Sequence, residues 1–186
     1  DPKKLFYKSR DRDLAKKIGI KDDDIVMGYI GSFVYYEGVE LLLDALLDKE
    51  LKSVKDLKLL LIGSDSDSDN KKSITNELIN KISNNPELKK KVILTGKVPF
   101  HEINNYYSLF DIMIYPRKSF AVTEIVSPIK PIEAAAMGKT IIMSDVAGMD
   151  NILDPEIRLI FNSGDINSLV KVIKKSLNIE YRKIFS

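Results

Sequence analysis

At 186 residues the chain is long enough for one full-sized core and short for two. Its 44% hydrophobic and 30% charged residues describe an ordinary globular protein, and a formal net charge of +2 with scattered basic residues argues against nucleic acid as a partner. There is no cysteine for a disulfide, thiol nucleophile or thiolate metal site, no apolar run near the ~20 residues of a membrane span and no signal peptide, so a cytoplasmic location is expected.

The chain opens on Asp1 rather than Met, as expected of a piece of a longer protein or of an engineered chain. Residues 1–20 read as a linker and a short opening helix, Asp11 to Ile18, closed by Gly19. Residues 21–186 read as one α/β domain. Ile25–Gly31, IVMGYIG, is short, apolar and bounded by turn signals, so it predicts a buried strand. The leucines of Gly38–Leu51 cover one broad helical face. Leu57–Gly63 predicts the second strand, Ser73–Ile82 a helix, KVILTG the third strand, Phe100–Leu109 a helix and DIMIYP the fourth strand. TIIMS, a short helix near Met149–Leu153, RLIF and a last helix N-capped by Asp165 complete the pattern. Strands and helices alternate, and the strands are continuously apolar. Both facts predict a doubly wound, parallel, six-stranded Rossmann-like sheet. Ligands of such sheets bind at the carboxyl ends of the strands, so the loops after Ile30, Ile62, Leu94, Tyr115 and Met143 should line the site.

The stretch from Tyr115 to Lys139, YPRKSFAVTEIVSPIKPIEAAAMGK, breaks this rhythm. Ser127 and Lys130 each precede a proline and are pushed toward extended backbone. Pro131 suits a first helical position, which predicts a helix from about Pro131 to Met137 with Gly138 as its C-cap. Its free N–H groups would face an anion in front of Ser127–Lys130, with Lys130 beside it and Glu133 on the third helical residue.

SPIKPIEAAAMG resembles the donor-site signature of the family-four retaining glycosyltransferases of the GT-B fold, a Glu-x7-Glu pair ending in a small-residue helix. GYIGSFVYYEGVELLLDAL, LLLIGSD, GKVPFHEINNYYSLFDIMIYP and SDVAGMDNIL resemble further segments of their C-terminal, donor-binding half. The resemblance implies a nucleotide diphosphate sugar as donor and a hexosyl-type transfer to an acceptor hydroxyl; with the aspartate loop discounted and no histidine or cysteine ligand set, no metal or other cofactor is expected. The resemblance implies that Glu133 holds the ribose and that Glu124, nine rather than eight residues earlier, approaches the transferred sugar. Gly31, Ser32, Ile129 and Lys130 fall beside the diphosphate, and the Val98 backbone beside the base. An N-terminal acceptor-binding domain is then missing, the isolated chain is expected to be inactive, and peripheral membrane association of the full-length enzyme is left open.

The chain departs from the family where an Arg and a Lys usually grip the diphosphate: Ser32 and Glu37 stand there. Lys130, helped chiefly by Arg117, is expected to take over, with Lys118 pointing to solvent. The rivals are a nucleotide-sugar-binding subunit or regulatory domain without turnover, and a nicotinamide-dependent oxidoreductase.

Other motifs carry plainer expectations. Gly28-x-x-Gly31 lacks the full dinucleotide fingerprint. Asp65, Asp67 and Asp69 imitate the start of a calcium loop, but Asn70 and Asn76 occupy its sixth and twelfth positions, so a solvated loop is expected. His101 is the only histidine and is expected to cap a helix start. Tyr106, Tyr107 and Phe110 at helical spacing are expected in the core.

Overall fold

The computed structural model of the chain describes residues 7–65 and 73–178. The short apolar runs become strands β1 (Ile25–Ile30), β2 (Leu57–Ile62), β3 (Val92–Gly96), β4 (Ile112–Tyr115), β5 (Thr140–Ser144) and β6 (Arg158–Phe161). They pair in parallel in the order β3-β2-β1-β4-β5-β6. All of β4 and β5, and all of β1 beyond Ile25, are buried, as expected of a sheet covered on both faces. The winding direction reverses between β1 and β4, so the crevice above their carboxyl ends is the topological switch point. This is the expected doubly wound Rossmann-like sheet.

Local side chains explain most helix starts. Asp11 caps α1 (Arg12–Lys17) by accepting from the Leu14 N–H, and Gly19 follows with φ of 84°, the left-handed geometry that ends a helix. The expected Gly38–Leu51 helix is divided into α2 (Leu41–Leu47) and α3 (Lys49–Ser53). Asp48 adopts an extended backbone there and caps α3 through the Glu50 N–H. Ser73 caps α4 (Ile74–Ser83). Asn85 followed by Pro86 starts α5 (Pro86–Lys91), a helix the apolar pattern did not reveal because only Leu88 and Lys91 are buried. Then follow α6 (Ile103–Leu109), α7 (Ala121–Ile125), α8 (Lys130–Ala136) and α9 (Ile166–Ser176), the last capped by Asp165 as expected. A 3₁₀ turn at Ala147–Met149 stands in place of the helix expected near Met149–Leu153.

One buried cation sits below the sheet, away from the carboxyl ends of the strands. Lys139, 9% exposed, reaches only the Ser108 carbonyl among the described residues, at 3.4 Å. Burial pulls its pKa down to about 8, against the attraction of Asp111. The folded value lies below the ~10.4 of an unfolded lysine, so the unfolded chain holds the proton more tightly and stability should rise as pH rises from about 8 to 10. Lys139→Met is therefore expected to stabilise the fold by roughly 2–3 kcal/mol at pH 7, with the advantage shrinking by pH 10. Urea unfolding at the two pH values checks this; an advantage unchanged with pH would contradict it.

Candidate functional site

The carboxyl ends of β1 and β2 turn away from the sheet at glycines. A Cβ on Gly63 would lie 1.8 Å from the Gly31 carbonyl oxygen, so the two loops touch only because residue 63 has no side chain. Phe33 N–H then donates to the Ser64 carbonyl at 3.0 Å. Between these loops, the segment after β3 and the start of α8 lies a cleft of about 270 Å³. Gly31, Ser32, Ser64, Lys97, Val98 and Lys130 contribute to its wall. A Cβ on Gly31 would come within 2.7 Å of both Lys130 Cε and the Tyr29 hydroxyl, so Gly31 admits the Lys130 side chain over the loop after β1. Among the described residues the Lys130 ammonium has no salt bridge.

The helix carrying Lys130 starts one residue earlier than expected, with Pro131 second and Glu133 fourth. Its Ile132 and Glu133 N–H groups both donate to the Ile129 carbonyl, and Pro131 has none. The helix end therefore keeps few donors for an anion, and the Lys130 side chain is left as the positive group at the mouth. Ile129, just before it, is 67% exposed.

Three buried tyrosines underlie this region. Tyr115, at the end of β4, donates its hydroxyl to the Lys130 carbonyl at 2.8 Å. Tyr107, on α6, donates to Glu133 Oε2 at 2.9 Å. Tyr29 donates to Glu37 Oε2 at 3.1 Å. Burial pushes all three hydroxyl pKa values up, and Glu37 and Glu133 add to this at Tyr29 and Tyr107, so the three stay protonated donors. Glu133 Oε1 has no partner among the described residues and stays open to solvent.

The expected role of Arg117 does not match its placement. Its guanidinium is buried, donating to Glu37 Oε1 at 2.8 Å and to the Val126 carbonyl at 2.9 Å. Its charge is paired with Glu37 inside the protein, although its Nε is buried without a partner among the described residues, and it does not line the cleft. Lys118 likewise does not point to solvent: it pairs with Glu40 and stands 4.4 Å from the centre of the Tyr35 ring. Backbone contacts close the same seam, where a Cβ on Gly38 would lie 2.1 Å from the Pro116 oxygen.

Glu124 sits on α7, outside the cleft wall. Its Oε1 accepts from Ser119 Oγ at 2.5 Å and its Oε2 from the Ala147 N–H at 2.8 Å. The Ser119 hydroxyl, then the Ala147 N–H, hold its pKa below the usual carboxylate range. Gly148 permits this close packing, since a Cβ there would meet the Thr123 oxygen at 2.3 Å. The structure thus gathers Gly31, Ser32, Val98 and Lys130 in the cleft wall, puts Glu133 three residues along α8 from Lys130, and sets Glu124 and Arg117 outside that wall. Tyr107 and Phe110 are buried as expected and Tyr106 is half-buried, but the acceptors of the tyrosine hydroxyls and the Glu37 partnership escaped the sequence; for Tyr29 and Tyr115 the signal was tyrosine in an apolar run, where a buried hydroxyl needs an acceptor.

The remaining motifs are structural. Asp65 accepts from Ser73 Oγ and from the Thr75 N–H at 3.2 Å, bracing the start of α4; Asp67 and Asp69 lie outside the described residues. Among those residues no group of three or more metal-binding side chains is assembled, and no helix is long and apolar enough to cross a membrane. His101 is exposed and caps nothing. Gly28 serves packing: a Cβ would lie 1.9 Å from the Leu60 oxygen of the neighbouring strand.

A cleft at the carboxyl edge of a doubly wound sheet, walled by two glycine turns and an unpaired lysine, defines a Rossmann-like domain suited to an anionic ligand. A family model for glycosyl transferases group 1 matches residues 10–185. The chain belongs to that family. The C-terminal domain of the group 1 glycosyl transferase LpcC from Francisella tularensis superposes with a TM-score of 0.79 at 17% identity, over 100% of this chain and 91% of that one. HepE from Anabaena, solved in complex with UDP-glucose, gives 0.80 at 16%, over 100% and 48%. Sucrose-phosphate synthase from Thermosynechococcus elongatus gives 0.68 at 23%, over 98% and 45%. The chain thus spans about half the length of these last two proteins and nearly all of the LpcC domain. A comparison with curated protein sequences found no match.

Proposed function

We propose that residues 21–186 form the donor-binding domain of a retaining, metal-independent glycosyltransferase whose acceptor-binding domain is a separate unit. The observation that carries this is Lys130, unpaired and packed over Gly31 in the cleft wall. Support comes from the family match and from HepE, which shares the fold and binds UDP-glucose. In this reading Lys130 contacts the donor diphosphate, with Gly31, Ser32 and Ile129 beside it; Glu133 takes the ribose, the Val98 backbone the base, and Glu124 reaches the sugar on leaving Ser119 and the Ala147 N–H, which hold it outside the cleft wall.

The chemistry follows from where charge develops. The bond from the anomeric carbon to the diphosphate oxygen breaks, the acceptor oxygen bonds to that carbon, and the acceptor's proton leaves with the diphosphate. As the sugar becomes oxocarbenium-like, negative charge grows on the leaving group, and Lys130 is placed to stabilise that charge more than the ground state. A cytoplasmic location and an inactive isolated domain belong to the same proposal.

A thermal-shift screen of the chain against UDP-, GDP- and ADP-sugars tests the binding, and silence across all three would count against it. Repeating the titration with EDTA tests the metal. Affinity is expected to stay within about threefold; a tenfold loss would show that a divalent ion is part of the site.

A further inference from the structure

We infer that Tyr107 is a positioning residue for ribose recognition: its hydroxyl holds one oxygen of Glu133 so that the other faces the donor. The inference rests on the donor reading above and adds a residue to it. Tyr107 comes from α6, on the opposite side of β4 in sequence from the helix that carries Glu133. Its ring is buried, 1% exposed, and fixed by packing, so its hydroxyl is a rigid anchor. A glutamate side chain alone is floppy, and its terminal torsion is broad. Donation to Oε2 at 2.9 Å restrains that torsion and leaves Oε1 unpartnered and open to solvent. Glu133 stands three residues from Lys130, a spacing that puts both side chains on one face of α8. Tyr115 fixes the same helix at the Lys130 carbonyl, to which its hydroxyl donates at 2.8 Å. The carboxylate and the ammonium are thereby held in a set relation, as a ribose and a diphosphate of one ligand require.

The test is a cycle of protein and ligand changes on this chain. UDP, 2′-deoxy-UDP and 3′-deoxy-UDP are titrated by calorimetry against wild type and Tyr107→Phe, which removes only the hydroxyl. Wild type is expected to prefer UDP, and Tyr107→Phe to lose about tenfold for UDP while losing little for the analogue that lacks the recognised hydroxyl. A purely structural role would weaken all three ligands alike, and that result, or no loss for UDP, would overturn the inference and leave the donor reading standing. A wild type that binds UDP without preferring it to either analogue would instead overturn the ribose role of Glu133 and this inference together. Glu133→Gln guards against a folding defect in Tyr107→Phe. With Tyr107 donating to the amide oxygen, the amide N–H₂ faces the ribose and donates to a hydroxyl oxygen in place of accepting from it, so a preference for UDP should persist, and it should be lost when Tyr107→Phe is added. A double variant that keeps the preference would show that Tyr107 does not position residue 133, and would overturn the inference.

Discussion

Lys130→Ala is expected to weaken UDP binding by this chain by about tenfold to a hundredfold, and to lower turnover of the full-length enzyme by about tenfold to a thousandfold, the range typical of losing one charge-stabilising group. The size follows from the neighbourhood. The places beside the cleft that hold Ser32 and Glu37 bring no positive charge, Arg117 is committed to Glu37, and Lys118 to Glu40. Lys97 shares the cleft wall but lies at the β3 side. A dianionic diphosphate then depends heavily on Lys130. The side chain is only half-buried and makes no ion pair within the described residues, so its truncation should change stability by no more than about 0.5 kcal/mol. Gly31→Ala should reproduce the binding loss, because the new methyl would displace Lys130 while the Tyr29 hydroxyl, pinned by Glu37, cannot yield. Calorimetry with UDP reads both variants. Wild-type affinity and turnover in Lys130→Ala would remove the phosphate contact and favour a binding subunit without turnover.

The fold was legible because each strand announces itself twice, by an unbroken apolar run and by the turn residues that bound it. Ile25–Ile30 and Leu57–Ile62 lie within one residue of expectation. Helices were less legible where one residue decides. Asp48 divides a leucine-rich segment because its side chain captures the Glu50 N–H, a local competition that a hydrophobic face does not display. α7 is five residues long, and only Thr123 in it is buried, so it carries no periodicity to find. In the site, Gly31 and Lys130 could be located from glycine after a strand and lysine before proline. Arg117 could not be placed, because its role depends on Glu37, eighty residues earlier, and only the pairing of β1 with β4 brings them together.

Arg117→Ala, accordingly, is expected to destabilise the domain by about 3–5 kcal/mol rather than to abolish a phosphate contact. The Arg117 and Glu37 side chains are 9% and 11% exposed and 2.8 Å apart. Removing the cation leaves the Glu37 carboxylate buried with the Tyr29 hydroxyl as its remaining partner, and also frees the Val126 carbonyl. Against a typical total of roughly 5–15 kcal/mol, that loss is a large fraction. Lys at this position cannot bridge both acceptors with a planar fork and should recover only part of the stability. Replacing both partners with apolar side chains of similar volume, Glu37→Leu with Arg117→Met, should return stability to within about 1–2 kcal/mol of wild type, since neither charge is then stranded. The double variant separates two roles for the pair. Arg117 ties the loop between α7 and α8, through Val126, to the loop that follows β1. If that tie also sets the approach of Lys130 to the cleft, the stable double variant still binds UDP less tightly than wild type. Urea unfolding and UDP titration, run on wild type, Arg117→Ala and the double variant, read the two effects apart. An Arg117→Ala variant with wild-type stability and lost UDP affinity would return Arg117 to the diphosphate and show that its bond to Glu37 opens when the donor binds.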